Sequence, residues 1–222
     1  CRRRVDRALS KPVIIVGAGG HAAVVADVLL AAGHEVLGFT DPDTRLHGTR
    51  IIGRPVPGAD RAKARQPVEK VRWANGIGGT RGEPLRREVQ VRLESQGWTF
   101  CGVRHPAAVV SPHALIGTGV HLMAGCIVQP GAVVGAGCIV NTGAVLEHDV
   151  VLGDFVHVAP GAVVCGNASV GDHSHIGAGA VLLQGLSVGR ESIVGAGAVV
   201  VASHPGRVTL IGVPARPRNP AS

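Results

Sequence analysis

The chain has no tyrosine, only three phenylalanines and two tryptophans, and an aromatic fraction of 2%. A hydrophobic fraction of 45% must therefore build an aliphatic core. No apolar run approaches the roughly 18 residues of a membrane span, and no signal-peptide pattern is present, so a cytoplasmic protein is expected. The cysteines, Cys1, Cys101, Cys126, Cys138 and Cys165, are odd in number and form no CxxC pair. They read as small buried residues in a reducing compartment. A net charge of +7 invites a nucleic-acid reading, but it is unevenly spread. Residues 1–105 hold 18 Lys/Arg against 10 Asp/Glu, whereas residues 106–222 hold 4 against 5. Without aromatics interleaved among the basic residues, nucleic acid is not expected as a partner. Small phosphorylated ligands account for the same charge.

The dominant feature is a period. Every sixth residue from Val110 to Val200 is Val, Leu or Ile, sixteen in succession without an insertion. Four residues after each, the chain is usually small or apolar, as at Cys126, Ala132, Cys138, Ala144 and Ala162. Glycine fills many of the turn positions. A fixed short period means stacked coils, and hexads are a signature of a parallel β-helix. Three hexads close a triangular coil of 18 residues, so about five coils are expected, with the aliphatic residue pointing inward. Outward apolar positions such as Ile127, Val133, Ile139, Val145, Val151 and Val163 leave flat faces that call for partners, and a three-sided prism packs readily about a three-fold axis.

The first half reads differently. Val13–Val16 is a continuous apolar run, as in a buried parallel strand. A turn, Gly17-Ala18-Gly19-Gly20-His21-Ala22, leads into a helix over 23–32 that Gly33 ends. A second strand follows over 36–39, with Asp41 and Asp43 at its carboxyl end. The spacing fits GxGxxA with an acidic residue about 20 positions on. About 95 residues are too few for both halves of a dinucleotide fold. Bare amides at a helix N-terminus nevertheless suit a diphosphate, such as that of a nucleotide-sugar. Residues 44–70 read as irregular. A strand over 71–74 leads into a second turn, Asn75-Gly76-Ile77-Gly78-Gly79, beside the first. A helix over 83–96 and a strand over 98–103 complete the unit. On that helix and just before it, Arg81, Arg86 and Arg87 either pair with phosphate or lie on a solvated face. These readings divide the chain into a tail over 1–10 with no assigned function, an α/β Rossmann-like nucleotide-sugar-binding domain over 11–105, and a left-handed β-helix over 106–222.

Acyl transfer to an amine or hydroxyl needs a base, and a histidine near neutrality is the usual one. His148 lies two residues past the inward Leu146, hence at a turn, and the adjacent Asp149 can fix its tautomer. A backbone amide is left to hold the oxyanion. From the residues alone His148 reads as a base, a surface histidine or a metal ligand. His121, His157 and His175 occupy the slot before the inward residue. His157 and His175 stack one coil apart, about 4.8 Å by strand spacing, and two such rings could serve a zinc site. The unbroken register ejects no loop over the acceptor, which leaves the first domain, of this chain or a neighbour, to hold it.

The stretches VGAGGHAAVVADVL, FTDPD, NGIGG, RHPAAVVSP, NTGAVLEHD and IGVPAR together resemble the bacterial sugar O-/N-acyltransferases, which include sialic acid O-acetyltransferases and acetyltransferases of UDP- or GDP-linked 4-amino sugars. The resemblance implies a homotrimer using acetyl-CoA, with no metal. It implies His148 as catalytic base, Asp149 as its orienting acid, and His157 beside the thioester. It maps backbone contacts for coenzyme A near Gly166, Ala178 and Ala196, between subunits. Gly17, Gly19, Gly20, His21, Asp41 and Asp43 map to the nucleotide, and Asn75 and Gly76 to the substrate side. N-acetylation of a nucleotide-linked 4-amino sugar is the expected reaction. O-acetylation of a free sugar such as sialic acid, a non-catalytic nucleotide-sugar-binding protein and a zinc hydrolyase are its rivals.

Overall fold

The computed structural model describes residues 11–57, 70–79 and 84–218. The chain divides into two compact units: Cys1–Gly78 with Leu85–Pro106, and Gly79–Pro84 with Ala107–Ser222. The expected tail over 1–10 and Arg81 lie outside the described residues.

The first unit is a three-stranded parallel sheet with two helices. Strand β1 (Val13–Val16) is central, flanked by β2 (Val36–Thr40) and β5 (Arg72–Asn75). All four residues of β1 are buried, which is why its sequence is an unbroken apolar run. Helix α1 (Gly20–Ala31) buries Ala22, Val25, Ala26, Val28 and Leu29. Gly33, at φ +78°, stops it, with the His34 N–H bonded to the Leu29 carbonyl in the pattern of a glycine C-terminal stop. Helix α2 (Leu85–Ser95) is shorter than the 83–96 expected. Two expectations change here. The region read as irregular contains a short helical turn at Thr44–Leu46 and a hairpin of β3 (Arg50–Ile51) with β4 (Arg54–Pro55). The strand expected over 98–103 is reduced to a Phe100 bridge to Trp73 and the pair Val103–Arg104. Packing of Trp73 against Trp98, centroids 4.6 Å apart and edge-on, occupies that region with side chains.

The second unit is a left-handed parallel β-helix whose strands are two residues long. Between Val109 and Val200 pairing runs 18 residues apart: Val145 lies beside Ile127 and Val163, and His157 beside Ile139 and His175. One face stacks six strands, from Val109–Val110 to Val199–Val200, which mark off the five 18-residue coils that the period implied. The core is a column of the inward aliphatics and the small residues four positions on, with Leu146, Val164, Leu182, Ala144, Ala162 and Ala180 all fully buried. Each buried Val, Leu or Ile contributes about 1.5–3 kcal/mol by leaving water, which compensates for the lack of aromatics.

The third residue after each inward aliphatic from Ile116 to Val194 turns the corner at positive φ. Glycine serves at Gly125, Gly143, Gly161, Gly179 and Gly197, but Asp149, Phe155, Asn167, His173 and Glu191 take the same conformation. Carboxylates also tie coils together: Asp154 accepts from the Ala136 N–H at 2.7 Å, and Asp172 from the Asp154 N–H at 2.8 Å. Of the outward apolar residues, Leu115, Val133 and Val151 are exposed on one face, whereas Ile139 is covered and His121 with it.

Candidate functional site

His148 and Asp149 sit on one corner of the prism, and local geometry dictates their pairing. Asp149 adopts φ +59°, which swings its carboxylate back over the preceding ring. The His148 Nδ1 then lies 3.0 Å from Asp149 Oδ2, with both side chains more than half exposed. A nitrogen facing a carboxylate carries the proton, so Nε2 keeps its lone pair. Glycines make the room. A Cβ on Gly131 would strike the Asp149 carboxylate, and one on Gly166 would strike His148 at Nε2. The Gly166 N–H takes no hydrogen bond among the described residues.

His157 lies elsewhere. It projects from the face opposite the His148 corner, half-buried, with both ring nitrogens engaged. The Asn141 side-chain oxygen accepts from the Thr142 N–H at 2.8 Å, so the Asn141 amide nitrogen is what meets His157 Nε2 at 3.0 Å. His157 Nδ1–H donates to the Gly79 carbonyl. The His175 ring packs edge-on at 4.9 Å, as the 18-residue spacing predicts. Burial lowers the His175 pKa, with a smaller opposing effect from the Gly79 backbone. Among the described residues no three metal-ligating side chains converge.

Ala178 and Ala196 occupy a third place, the corner that follows the His157 face. There Gly179 and Gly197 have nothing within 4 Å of where a Cβ would stand, and the Ala178 and Ala196 N–H groups are unpaired among the described residues. Gly166 and this corner are therefore not brought together within one chain.

In the first unit the two glycine-rich turns lie side by side, at the carboxyl ends of the adjacent β1 and β5. Gly17 needs its glycine for conformation, at φ +91°, and its N–H is bonded to the Thr40 carbonyl at 2.7 Å. Asp41 is engaged within the turn: one oxygen accepts from the Ala18 N–H at 2.8 Å, the other from the Asp43 N–H at 2.9 Å. Asp43 caps the short helical turn and is paired with Arg45, which holds its carboxyl below the ordinary carboxylate range. The Gly19 and Gly20 N–H groups are unpaired among the described residues at the start of α1, which has no side-chain cap. His21 packs against Gly78, where a Cβ would come within 3.4 Å of it. At Gly76 a Cβ would meet Ile15, Ala22 and the Val16 carbonyl at 2.6–2.8 Å.

Sequence reasoning did not anticipate how Asn75 is held. Its side chain accepts from the Ile77 N–H and donates to the Arg86 carbonyl and to Gln90. Arg86 is buried, with its guanidinium on the Asn75 and Ile77 carbonyls. It is thus neither a phosphate ligand nor part of a solvated face, although Arg87 is exposed. Asn141 was also missed as a partner. The available signal was its position one coil less two residues before His157.

Comparisons with known proteins identify the family. The PglD N-terminal domain family matches residues 12–93, and the bacterial transferase hexapeptide family matches residues 149–184. The acetyltransferase domain of PglB from Neisseria gonorrhoeae FA1090 is 37% identical, with a TM-score of 0.87, over 94% of this chain and 100% of that one. The chain belongs to the bacterial sugar O-/N-acyltransferases of the hexapeptide-repeat type. PerB from Caulobacter crescentus, solved in complex with CoA and GDP-perosamine, is 36% identical with a TM-score of 0.86, over 96% of this chain and 100% of that one. WeeI from Acinetobacter baumannii AYE is 28% identical with a TM-score of 0.78, over 94% and 100% of the two chains. No curated protein matches the chain. His148 and Asp149 form an exposed contact at one corner of the solenoid, and no described helix is long and apolar enough to cross a membrane.

Proposed function

We propose that this acyltransferase moves the acetyl group of acetyl-CoA onto the amino group of a nucleotide-linked 4-amino sugar, for surface glycan synthesis in the cytoplasm. One observation carries the reading: the Asp149 contact at Nδ1 leaves His148 Nε2 free of it at an exposed corner beside Gly166, whose N–H is unpaired among the described residues. His148 Nε2 accepts the proton the amine loses as its nitrogen bonds to the thioester carbonyl carbon. The Gly166 N–H is the donor within reach of the oxygen that becomes negative. As the carbon–sulfur bond breaks, His148 returns the proton to the departing thiolate, and Asp149 stabilises the imidazolium in between.

Coenzyme A suits the open glycine corner. Its unpaired Ala178 and Ala196 N–H groups and bare Gly179 and Gly197 offer donors without side-chain obstruction. Because that corner and Gly166 lie on separate edges of one chain, a site using both needs two subunits. The exposed Leu115, Val133 and Val151 favour such an assembly, and the proposed state is a homotrimer. For the nucleotide diphosphate the Gly19 and Gly20 amides at the start of α1 are the free donors. Asp41 supports that turn from behind. PerB, solved with a GDP-linked sugar and CoA, favours this substrate class.

The test is thiol release from acetyl-CoA in the presence of UDP- and GDP-linked 4-amino sugars, with free sugars including sialic acid in parallel. Turnover with a nucleotide-linked amino sugar is expected. Turnover with free sugars alone would transfer the assignment to O-acetylation, and no turnover or thermal shift with any substrate would overturn the reading. Light scattering should give three times the 22.6 kDa chain mass.

A further inference from the structure

Within the first unit, the second glycine-rich turn is gripped from behind. Helix α2 turns Arg86 and Gln90, four residues apart and so on one helix face, toward the end of β5, where both are buried. A single guanidinium nitrogen of Arg86, Nη1, donates to two carbonyls, that of Asn75 at 2.8 Å and that of Ile77 at 2.7 Å. The buried Asn75 side chain completes the grip. Its oxygen accepts from the Ile77 N–H at 3.1 Å, and its amide donates to the Arg86 carbonyl at 3.0 Å and to Gln90 at 3.2 Å.

A trans peptide points its N–H opposite to its C=O, and neither peptide concerned is cis. With the Asn75 carbonyl on Arg86, the Gly76 N–H faces the other way, and there it donates to the Val16 carbonyl at 2.8 Å, at the end of β1. With the Ile77 carbonyl on Arg86, the Gly78 N–H is likewise turned away from α2. That group is unpaired among the described residues. Gly78 lies beside the first turn of α1, where a Cβ on it would stand 3.4 Å from the His21 Cβ. Turning this peptide over would set the Ile77 oxygen where the N–H stands and strip a buried guanidinium of a partner, which is costly.

We propose that Arg86 is a positioning residue for the nucleotide-sugar: by holding the Ile77 carbonyl it keeps the Gly78 N–H turned outward, as a third amide donor to the diphosphate beside those of Gly19 and Gly20. The role rests on the proposed function, which puts a nucleotide diphosphate at the start of α1.

Calorimetry with UDP and GDP, set against uridine and guanosine, reads the contribution of the diphosphate. Arg86→Met keeps the bulk without the donors, so the Ile77–Gly78 peptide is released. The preference for diphosphate over nucleoside should shrink roughly tenfold, the scale of one hydrogen bond to an anion, with nucleoside affinity unchanged. Arg86→Lys keeps the charge on a shorter stem that cannot serve both carbonyls equally, and should lose about threefold; it carries the test alone if Arg86→Met fails to fold. In steady-state kinetics the KM for the sugar nucleotide should rise by about the same factors, with kcat and the acetyl-CoA KM unchanged. A purely structural role would instead lower the melting temperature and weaken nucleoside and diphosphate alike, and that result overturns the proposal. A wild-type preference that persists undiminished in the folded variants overturns the positioning alone. Wild-type protein that prefers neither diphosphate to its nucleoside overturns the proposed function, and the role of Arg86 with it.

Discussion

Replacing Gly166 with alanine tests the catalytic corner without touching a catalytic side chain. Gly166 has an ordinary backbone φ, so alanine costs no conformational strain there. Its new Cβ would overlap the His148 ring at Nε2, Cε1 and Cδ2. His148 is more than half exposed and can swing outward, so the fold should yield at the side chain and keep its coils. Swinging outward, however, breaks the 3.0 Å bond to Asp149 and carries Nε2 away from Gly166. Base positioning alone contributes about 10²–10⁴-fold in rate, and a misplaced ring forfeits a large part of it. The expected loss in kcat is about 10²–10³-fold, equivalent to about 3–4 kcal/mol at 1.36 kcal/mol per tenfold. Thiol release measures it, with a thermal melt alongside to show that the fold is intact. Gly135→Ala is the control. There the Cβ meets the Gly153 backbone, which cannot rotate away, so stability rather than rate should fall. A fully active Gly166→Ala with an unchanged melt would refute the placement of His148 as the base over Gly166.

His148→Ala should lower kcat by roughly 10²–10⁴-fold with acetyl-CoA affinity measured by calorimetry nearly unchanged, and Asp149→Asn should lose less because it orients and does not take the proton. Leu182→Ala, at a fully buried inward position, should destabilise the chain by about 2–5 kcal/mol in denaturant titration. Partial burial lowers the His175 pKa from its ordinary 6.5, whereas the unfolded chain takes up a proton there. Stability should therefore decrease as pH falls through that value, and His175→Gln should flatten the slope in melts recorded across it.

The β-helix was legible in the sequence because its cause is local and repeated. One hexad makes one strand and one corner, so the same choice of aliphatic, small and glycine residues recurs from Val110 to Val200. The parallel β1 and the glycine stop at Gly33 were legible for the same reason, since burial and positive φ each select residue types directly. His148 could be assigned to a corner from the register alone, and Asp149 to its side.

Contacts between residues far apart in the chain left no such period. Arg86 looks like any helix arginine until β5 brings the Asn75 and Ile77 carbonyls to its guanidinium. Asp41 reads as a ligand in sequence, and only the sheet sets it 2.8 Å from the Ala18 N–H. His157 is one more outward histidine in sequence, and only folding supplies Asn141, 16 residues away, and Gly79, 78 residues away, to fill both its nitrogens. The triangular cross-section likewise separates Gly166 from Ala178 and Ala196, although little more than ten positions lie between the first two. Chain spacing ranks neighbours along a strand, whereas hydrogen-bond partners are chosen by which faces the closed coil turns toward one another.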